Sequence, residues 1–195
     1  STPPPLAYVV NWVASIRPGE TVLEPSAGTG NLAVFAKLHD GKVIGNEVTP
    51  RRRALLREIV DKTLDLNAEH IGKTLPSNIK PTVVVMNPPF SRAGTRMGNV
   101  PVPFAGASHV EAALEALQPG GRLVAILGEG MMLNPVEDFG GGRHGTGAQF
   151  REWWKKIRGE YNVRAVIPLD GALYRKYRTT FGNVLAVIDN TGPTM

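Results

Sequence analysis

Short apolar runs alternate with longer stretches in which apolar positions recur at helical spacing. Short apolar runs are typical of buried strands, and strands that alternate with helices indicate βαβ units around a mostly parallel sheet. The pattern predicts strands at Thr21–Glu24, Lys42–Val48, Thr63–Leu66, Thr82–Met86, Arg122–Leu127, Val163–Leu169 and Val184–Asp189. It predicts helices at Leu6–Ile16, Leu32–His39, Pro50–Lys62, Ser108–Leu117 and Ala148–Arg158.

The size and composition of the chain predict one globular domain. The 195 residues can bury a sizeable core but leave no room for a second large domain. Apolar residues make up 42% and charged residues 20%, and no apolar run approaches membrane-spanning length. The first residues lack the features of a signal peptide, so we expect a cytoplasmic protein without a membrane partner. Cysteine is absent, which excludes disulfides and cysteine metal sites.

The net charge bears on the partner. A formal charge of +5 and a pI of about 9.7 favour a polyanion such as nucleic acid, although an ordinary basic protein has the same balance. His109 and His144 have no partners at metal-ligand spacing, so we predict no metal site.

The first candidate site is the junction between a strand and a helix after residue 24. Its residues are Glu24, Pro25, Ser26, Ala27, Gly28 and Gly30. Glycines at such a turn allow the backbone to approach a ligand closely. The spacing Gly28-x-Gly30-x-x-Ala33 also fits the dinucleotide fingerprint, which is a weak signal on its own.

Acidic residues at strand ends add to this candidate ligand site. Glu47 ends the second predicted strand, where its carboxylate can accept both hydroxyls of a ribose from a dinucleotide or from S-adenosylmethionine. Glu24 lies inside a strand end, where a carboxylate is costly unless it is paired. It can hold loop amides or face a cationic part of the ligand. Asp65, Asn67 and Glu69 follow the third strand, and we favour Asn67 as the residue beside the ligand's adenine.

The second candidate site is the tetrad Asn87, Pro88, Pro89 and Phe90, which directly follows a buried strand. The Asn87 side-chain oxygen and the Pro88 backbone carbonyl can accept both hydrogens of an aromatic amino group. These acceptors would draw the nitrogen toward a tetrahedral arrangement and stabilise its developing positive charge. The two prolines stiffen the turn, and Phe90 can stack on the base for about 1–3 kcal/mol.

These motifs resemble those of S-adenosylmethionine-dependent amino-methyltransferases, especially N6-adenine DNA methyltransferases of the gamma type. Thr2 and Pro3 are similar to the N-terminal motif that packs over the methionine moiety. The segment 24–30 is similar to the donor loop, Glu47 to the ribose acid, and 87–90 to the catalytic tetrad, whose Asn87 is also a candidate contact with the donor. The segment 177–187 is similar to the late motif that lines the target-base pocket, which makes Tyr177, Arg178 and Phe181 candidate substrate-binding residues.

The resemblance implies both a fold and a reaction. The fold is the Rossmann-like α/β fold of class I methyltransferases, a seven-stranded, mostly parallel sheet with the last strand antiparallel and helices on both faces. The reaction is methyl transfer from S-adenosylmethionine to adenine N6 in DNA on a flipped base, in restriction-modification or phage defence. The chain also resembles the methyltransferase part of proteins with a strawberry-notch-like helicase. A fused or associated helicase or target-recognition domain is therefore an expected partner.

Three other functions stay open at this point. The acceptor can be a protein glutamine or an amino group of RNA, because such enzymes share this type of tetrad. A NAD-dependent oxidoreductase built on the glycine fingerprint is an alternative from another class, but it leaves residues 87–90 without a role. A non-catalytic binding module that uses the same pocket is the third.

Overall fold

The computed structural model describes residues 2–88, 105–132, 146–169 and 182–195. Its strands, in chain order, are β1 Thr21–Glu24, β2 Lys42–Asn46, β3 Lys62–Leu64, β4 Val83–Met86, β5 Arg122–Gly128, β6 Asn162–Leu169 and β7 Asn183–Asp189. Its α-helices are α1 Pro4–Ala14, α2 Asn31–Leu38, α3 Pro50–Leu56, α4 Ile71–Thr74, α5 Ala105–Ala116 and α6 Thr146–Glu160. Two short 3₁₀ helices cover Ala68–His70 and Glu129–Met131.

The strands of the described residues form one seven-stranded sheet in the order β3-β2-β1-β4-β5-β7-β6. Neighbouring strands from β3 to β5 pair in parallel, whereas β7 is antiparallel to both β5 and β6. The predicted fold class is confirmed. The antiparallel insertion also distinguishes this sheet from the dinucleotide-binding fold, whose strand order is 3-2-1-4-5-6.

Alternating strand residues build a core on each face of the sheet, because successive side chains of a strand point in opposite directions. In β4, Val83 and Val85 belong to the cluster that contains the buried faces of α1 and α2. Val84 and Met86 belong to the other cluster, which contains buried residues of α5 and α6. Both faces of the sheet are therefore covered, which explains the continuous apolar runs in its strands.

The prediction of the third helix is wrong at its carboxyl end. It was expected to reach Lys62, but α3 ends at Leu56 and the chain then approaches β2. The Asp61 amide donates to the Val43 carbonyl at 3.0 Å, and the Val43 amide donates to an Asp61 carboxylate oxygen at 2.7 Å. These tertiary hydrogen bonds replace helical ones, and Lys62 already belongs to β3. The short helices between residues 68 and 74 were not predicted.

The fold brings the two candidate sites to one edge of the sheet. β1 and β4 are parallel neighbours, with Leu23 opposite Val84. Their carboxyl ends therefore lie side by side, and each end leads into one of the candidate sites. This is the edge at which ligands bind in open α/β sheets.

No helix in the described ranges has the length and apolar character needed to cross a membrane.

Candidate active site

The loop after β1 enters α2 through two glycines with left-handed backbone angles. Gly28 has φ 58° and Gly30 has φ 89°, a region that favours glycine. The Gly30 amide donates to the Ala27 carbonyl at 2.9 Å. A Cβ on Gly30 would lie 2.9 Å from Ile59 Cδ1 and 3.1 Å from Leu56 Cδ1, whereas one on Gly28 would meet nothing within 4 Å. Gly30 is therefore packed against Ile59 and Leu56, whereas open space lies next to Gly28.

Asn46, the last residue of β2, lies at the candidate site and is not among the residues predicted from the sequence. Its side chain is buried, and its Nδ2 donates to the carbonyls of Pro25 and Leu66, each at 2.9 Å. Its Oδ1 accepts from the Leu66 amide at 2.8 Å, and its backbone carbonyl accepts from the Ala27 amide at 2.8 Å. One amide thus joins the ends of β1, β2 and β3. Pro25 and Ala27 are buried and Ser26 is half-buried. A polar residue that closes an apolar strand was the available signal.

Glu24 is a buried carboxyl group with a free oxygen. It is 3% exposed, and its Oε2 has no hydrogen-bond partner among the described residues. Burial raises the pKa of this carboxyl well above its usual range; the hydrogen bond from the Ala33 amide opposes the rise, and the negative charge of Glu47 adds to it. The free oxygen can take a hydrogen-bond donor or a cation, and its contact with a cationic part of the ligand stays a prediction.

Glu47 directly follows β2 and is also buried. Its Oε1 accepts from the Thr49 amide at 2.7 Å and lies 3.8 Å from Arg52 Nε. The Arg53 guanidinium donates to the backbone carbonyls of Glu47 at 2.9 Å and Val48 at 3.3 Å. The carboxylate is therefore held in place at the end of the strand, next to a compensating cation.

The polar residues that follow β3 have contacts within the protein and do not single out a contact with the donor adenine. Asp65 directly follows the strand, is exposed, and lies 3.5 Å from the Arg53 guanidinium. Asn67 is exposed, and its Oδ1 accepts from the Glu69 amide at 3.0 Å, which caps the 3₁₀ helix Ala68–His70. This side chain has a local structural role, and its contact with a donor adenine stays a prediction.

Asn87 directly follows β4 and contacts the N-terminal segment. Its Nδ2 donates to Thr2 Oγ1 at 2.9 Å, and its Oδ1 is a buried atom without a partner among the described residues. Thr2 is 5% exposed. Pro3, which caps α1, and Pro88 are also buried. The structure therefore brings two of the predicted motifs, 85 residues apart, into direct contact.

Five predicted site residues lie outside the described ranges. They are Pro89, Phe90, Tyr177, Arg178 and Phe181. Their roles in stacking and in substrate contact stay predictions.

A surface cavity of about 550 Å³ lies elsewhere, between α4, α5 and α6. Four of its lining residues are the glutamates Glu69, Glu111, Glu115 and Glu160. Of the three residues considered beside the donor adenine, Glu69 lines it but the favoured Asn67 does not, and its acidic lining does not suit a polyanion. Within the described part of the chain, no three His, Asp or Glu side chains are grouped so that they could hold a metal ion.

Solved structures with the same fold are numerous, although no protein-family model and no curated protein matches the sequence. TrmN from Thermus thermophilus has a TM-score of 0.63 and 19% identity, over 95% of this chain and 48% of that chain. SMU.1697c from Streptococcus mutans, solved with S-adenosylhomocysteine (SAH), has a TM-score of 0.55 and 15% identity, over 97% of this chain and 98% of that chain. An rRNA methylase from Streptococcus thermophilus has a TM-score of 0.56 and 12% identity, over 98% of both chains. The chain therefore spans about half the length of TrmN.

These similarities show the fold of class I methyltransferases, and S-adenosylmethionine is the cofactor that this fold implies. The residues at the strand ends fit it. The turn at Gly28 leaves open space next to the backbone, and Glu47 places a fixed carboxylate at the end of β2. Glu24 offers a buried oxygen without a partner in the described ranges, which suits a group with N–H donors or positive charge.

Proposed function

We propose that this chain transfers the methyl group of S-adenosylmethionine to an exocyclic amino group, and that the acceptor is adenine N6 in DNA. The observation that carries the proposal is the Asn87 side-chain oxygen at the end of β4. It is buried and has no partner among the described residues, and its strand is the neighbour of the one that leads into the donor loop. A buried acceptor without a donor costs about 1–3 kcal/mol, so a ligand donor at this position would be stabilising.

The chemistry requires little of the protein beyond orientation. When bound, S-adenosylmethionine supplies an electrophilic methyl group. Asn87 Oδ1 accepts one hydrogen of the amino group, and the Pro88 carbonyl accepts the other. The two acceptors draw the nitrogen toward a tetrahedral arrangement, so that its lone pair is no longer delocalised into the ring, and they stabilise the positive charge that develops on nitrogen. The excess proton then leaves to solvent, and no strong base is needed before attack.

Nucleic acid as the acceptor is supported by the net charge. The formal charge of +5 gives long-range attraction to a phosphate backbone. An adenine inside a duplex would have to leave the base stack to reach a group at a strand end. Phe90 would stack on the flipped base, and Tyr177, Arg178 and Phe181 would complete its pocket.

RNA is the second candidate acceptor. It is favoured by the rRNA methylase from Streptococcus thermophilus, whose fold is shared over 98% of both chains. Because a fold does not determine the substrate, this similarity is a reason to test RNA in the same experiment, and DNA remains the proposed acceptor. A protein glutamine, whose amide is equally planar, is the third arm. The sheet order argues against the oxidoreductase considered from the glycine fingerprint.

Sequence specificity would come from a partner. The region of TrmN that aligns with this chain makes up 48% of that protein, so the fold can form one part of a longer chain. We propose a fused or associated helicase or target-recognition domain for this role.

The test incubates purified protein with methyl-labelled donor and, separately, DNA, RNA or a protein extract, followed by mass spectrometry of the modified product. We expect N6-methyladenine in DNA. Asn87→Ala should lose transfer while it retains binding of SAH within about threefold, because the donor loop is on the neighbouring strand. Label in RNA alone would reassign the acceptor. Parent-level transfer by Asn87→Ala would refute the catalytic role of this residue.

A further inference from the structure

Thr2 lies between the two halves of the candidate site and is hydrogen-bonded to each. Its hydroxyl oxygen accepts from Asn87 Nδ2 at 2.9 Å, at the end of β4. Its backbone carbonyl accepts from Asn31 Nδ2 at 2.8 Å, and Asn31 is the first residue of α2, directly after the glycine loop. Thr2 itself is 5% exposed, so water does not compete freely for either bond. One buried residue therefore connects the donor loop with the acceptor strand.

The orientation of the Asn87 amide matters because its two ends have opposite chemistry. The oxygen accepts hydrogen bonds, whereas the nitrogen only donates them, and the two ends have nearly the same size. The final torsion of an asparagine has a broad, roughly two-fold energy profile, so packing alone selects the orientation weakly. A neighbour that binds the nitrogen removes this ambiguity.

We infer that Thr2 is a positioning residue that fixes the Asn87 amide with its oxygen free for the acceptor amino group. The inference follows from the pair of contacts at Asn87: the nitrogen is bonded to the Thr2 hydroxyl, and the oxygen is buried and unpartnered in the described ranges. It is a different role from the one predicted for Thr2, which was contact with the donor. It rests on the proposed function, since it assigns Thr2 an effect on the amino-methyl transfer step.

The first arm of the experiment reads the hydrogen bond directly and needs no activity. The side-chain amide resonances of Asn87 are assigned by NMR, with Asn87→Asp as the variant that removes them. In Thr2→Val, which replaces the hydroxyl by a methyl group of similar size, we expect these resonances to shift and their exchange with solvent to accelerate. Thr2→Ser retains the hydroxyl and should keep the parent pattern. Unchanged Asn87 resonances in Thr2→Val would overturn the inference.

The second arm separates positioning from donor binding. Thr2→Val should lower kcat about tenfold, the fold-change that corresponds to loss of one hydrogen bond of ordinary net strength, and leave the Kd for SAH within about twofold. Thr2→Ser should restore kcat. Thr74, the last residue of α4, provides the matched control: its exposed hydroxyl donates to the carbonyl of His70, which directly precedes that helix, and Thr74→Val should have the parent kcat.

The outcomes distinguish the positioning role of Thr2 from the proposed function of the chain. A Thr2→Val variant whose Kd rises while kcat stays at the parent value would make Thr2 a donor-binding residue only and overturn the inference. A parent protein that methylates none of the three acceptors would refute the proposed function. In that case the NMR comparison would still decide whether Thr2 orients the Asn87 amide.

Discussion

Replacement of Glu24 by glutamine should change how the stability of the protein depends on pH. The carboxyl group is 3% exposed and one of its oxygens has no partner in the described ranges, so ionisation is costly in the folded state. Burial raises its pKa; the Ala33 amide opposes the rise, and the nearby charge of Glu47 adds to it. Glutamine keeps the shape and the acceptor oxygen but has no charge at any pH.

The sign and the magnitude follow from proton linkage. Because the folded-state pKa lies above the unfolded-state value of about 4.3, the folded protein binds more protons between the two values. The free energy of unfolding of the parent therefore falls as pH rises through this interval, by up to about 1.4 kcal/mol per pH unit from this group. Glu24→Gln lacks that loss. Its stability relative to the parent should rise across the interval and become constant above it.

The assay is urea unfolding of both proteins from pH 4 to pH 9, analysed as the difference between variant and parent at each pH. This difference cancels the titration of distant groups, whose effects are additive. Glu58→Gln, at an exposed position after α3, is the matched control for the chemical change. Parallel pH profiles for parent and Glu24→Gln would refute the reasoning, because they would mean that the carboxyl group titrates alike in both states.

Three further predictions concern the loops at the same edge of the sheet. In urea unfolding, Gly30→Ala should lower the free energy of unfolding by about 1–3 kcal/mol more than Gly19→Ala. Both positions have positive φ, but only a Cβ on Gly30 would meet a packed side chain within 3 Å. Equal losses would contradict the packing argument. Asn46→Leu should cost about 1–3 kcal/mol by the same measurement and weaken SAH binding by calorimetry, since it frees buried carbonyls in two loops; unchanged affinity would separate Asn46 from the donor site. Glu47→Gln should raise the Kd for SAH about tenfold, as expected for loss of a charge-assisted hydrogen bond, and an unchanged Kd would remove Glu47 from the ribose contact.

The sequence predicted those residues of the candidate site that lie at the ends of strands. Glu24, Glu47 and Asn87 each follow or end an apolar run, and a parallel sheet places such ends along one edge. The adjacency of the first and the last of these follows from the pairing of β1 with β4. Their chemical roles stay predictions.

The sequence by itself determined the central strands β4, β5 and β7, because a strand that is buried on both faces is apolar along most of its length and this pattern is local. It did not determine where α3 ends, because Asp61 pairs with the backbone of Val43, which lies 18 residues earlier in the chain. Nor did it assign a role to Asn46 or predict the contact of Thr2 with Asn87, because these hydrogen bonds reach across 20 and 85 residues. Which polar groups meet depends on how the folded elements pack, so only the tertiary structure decided how the strand ends are joined into one site.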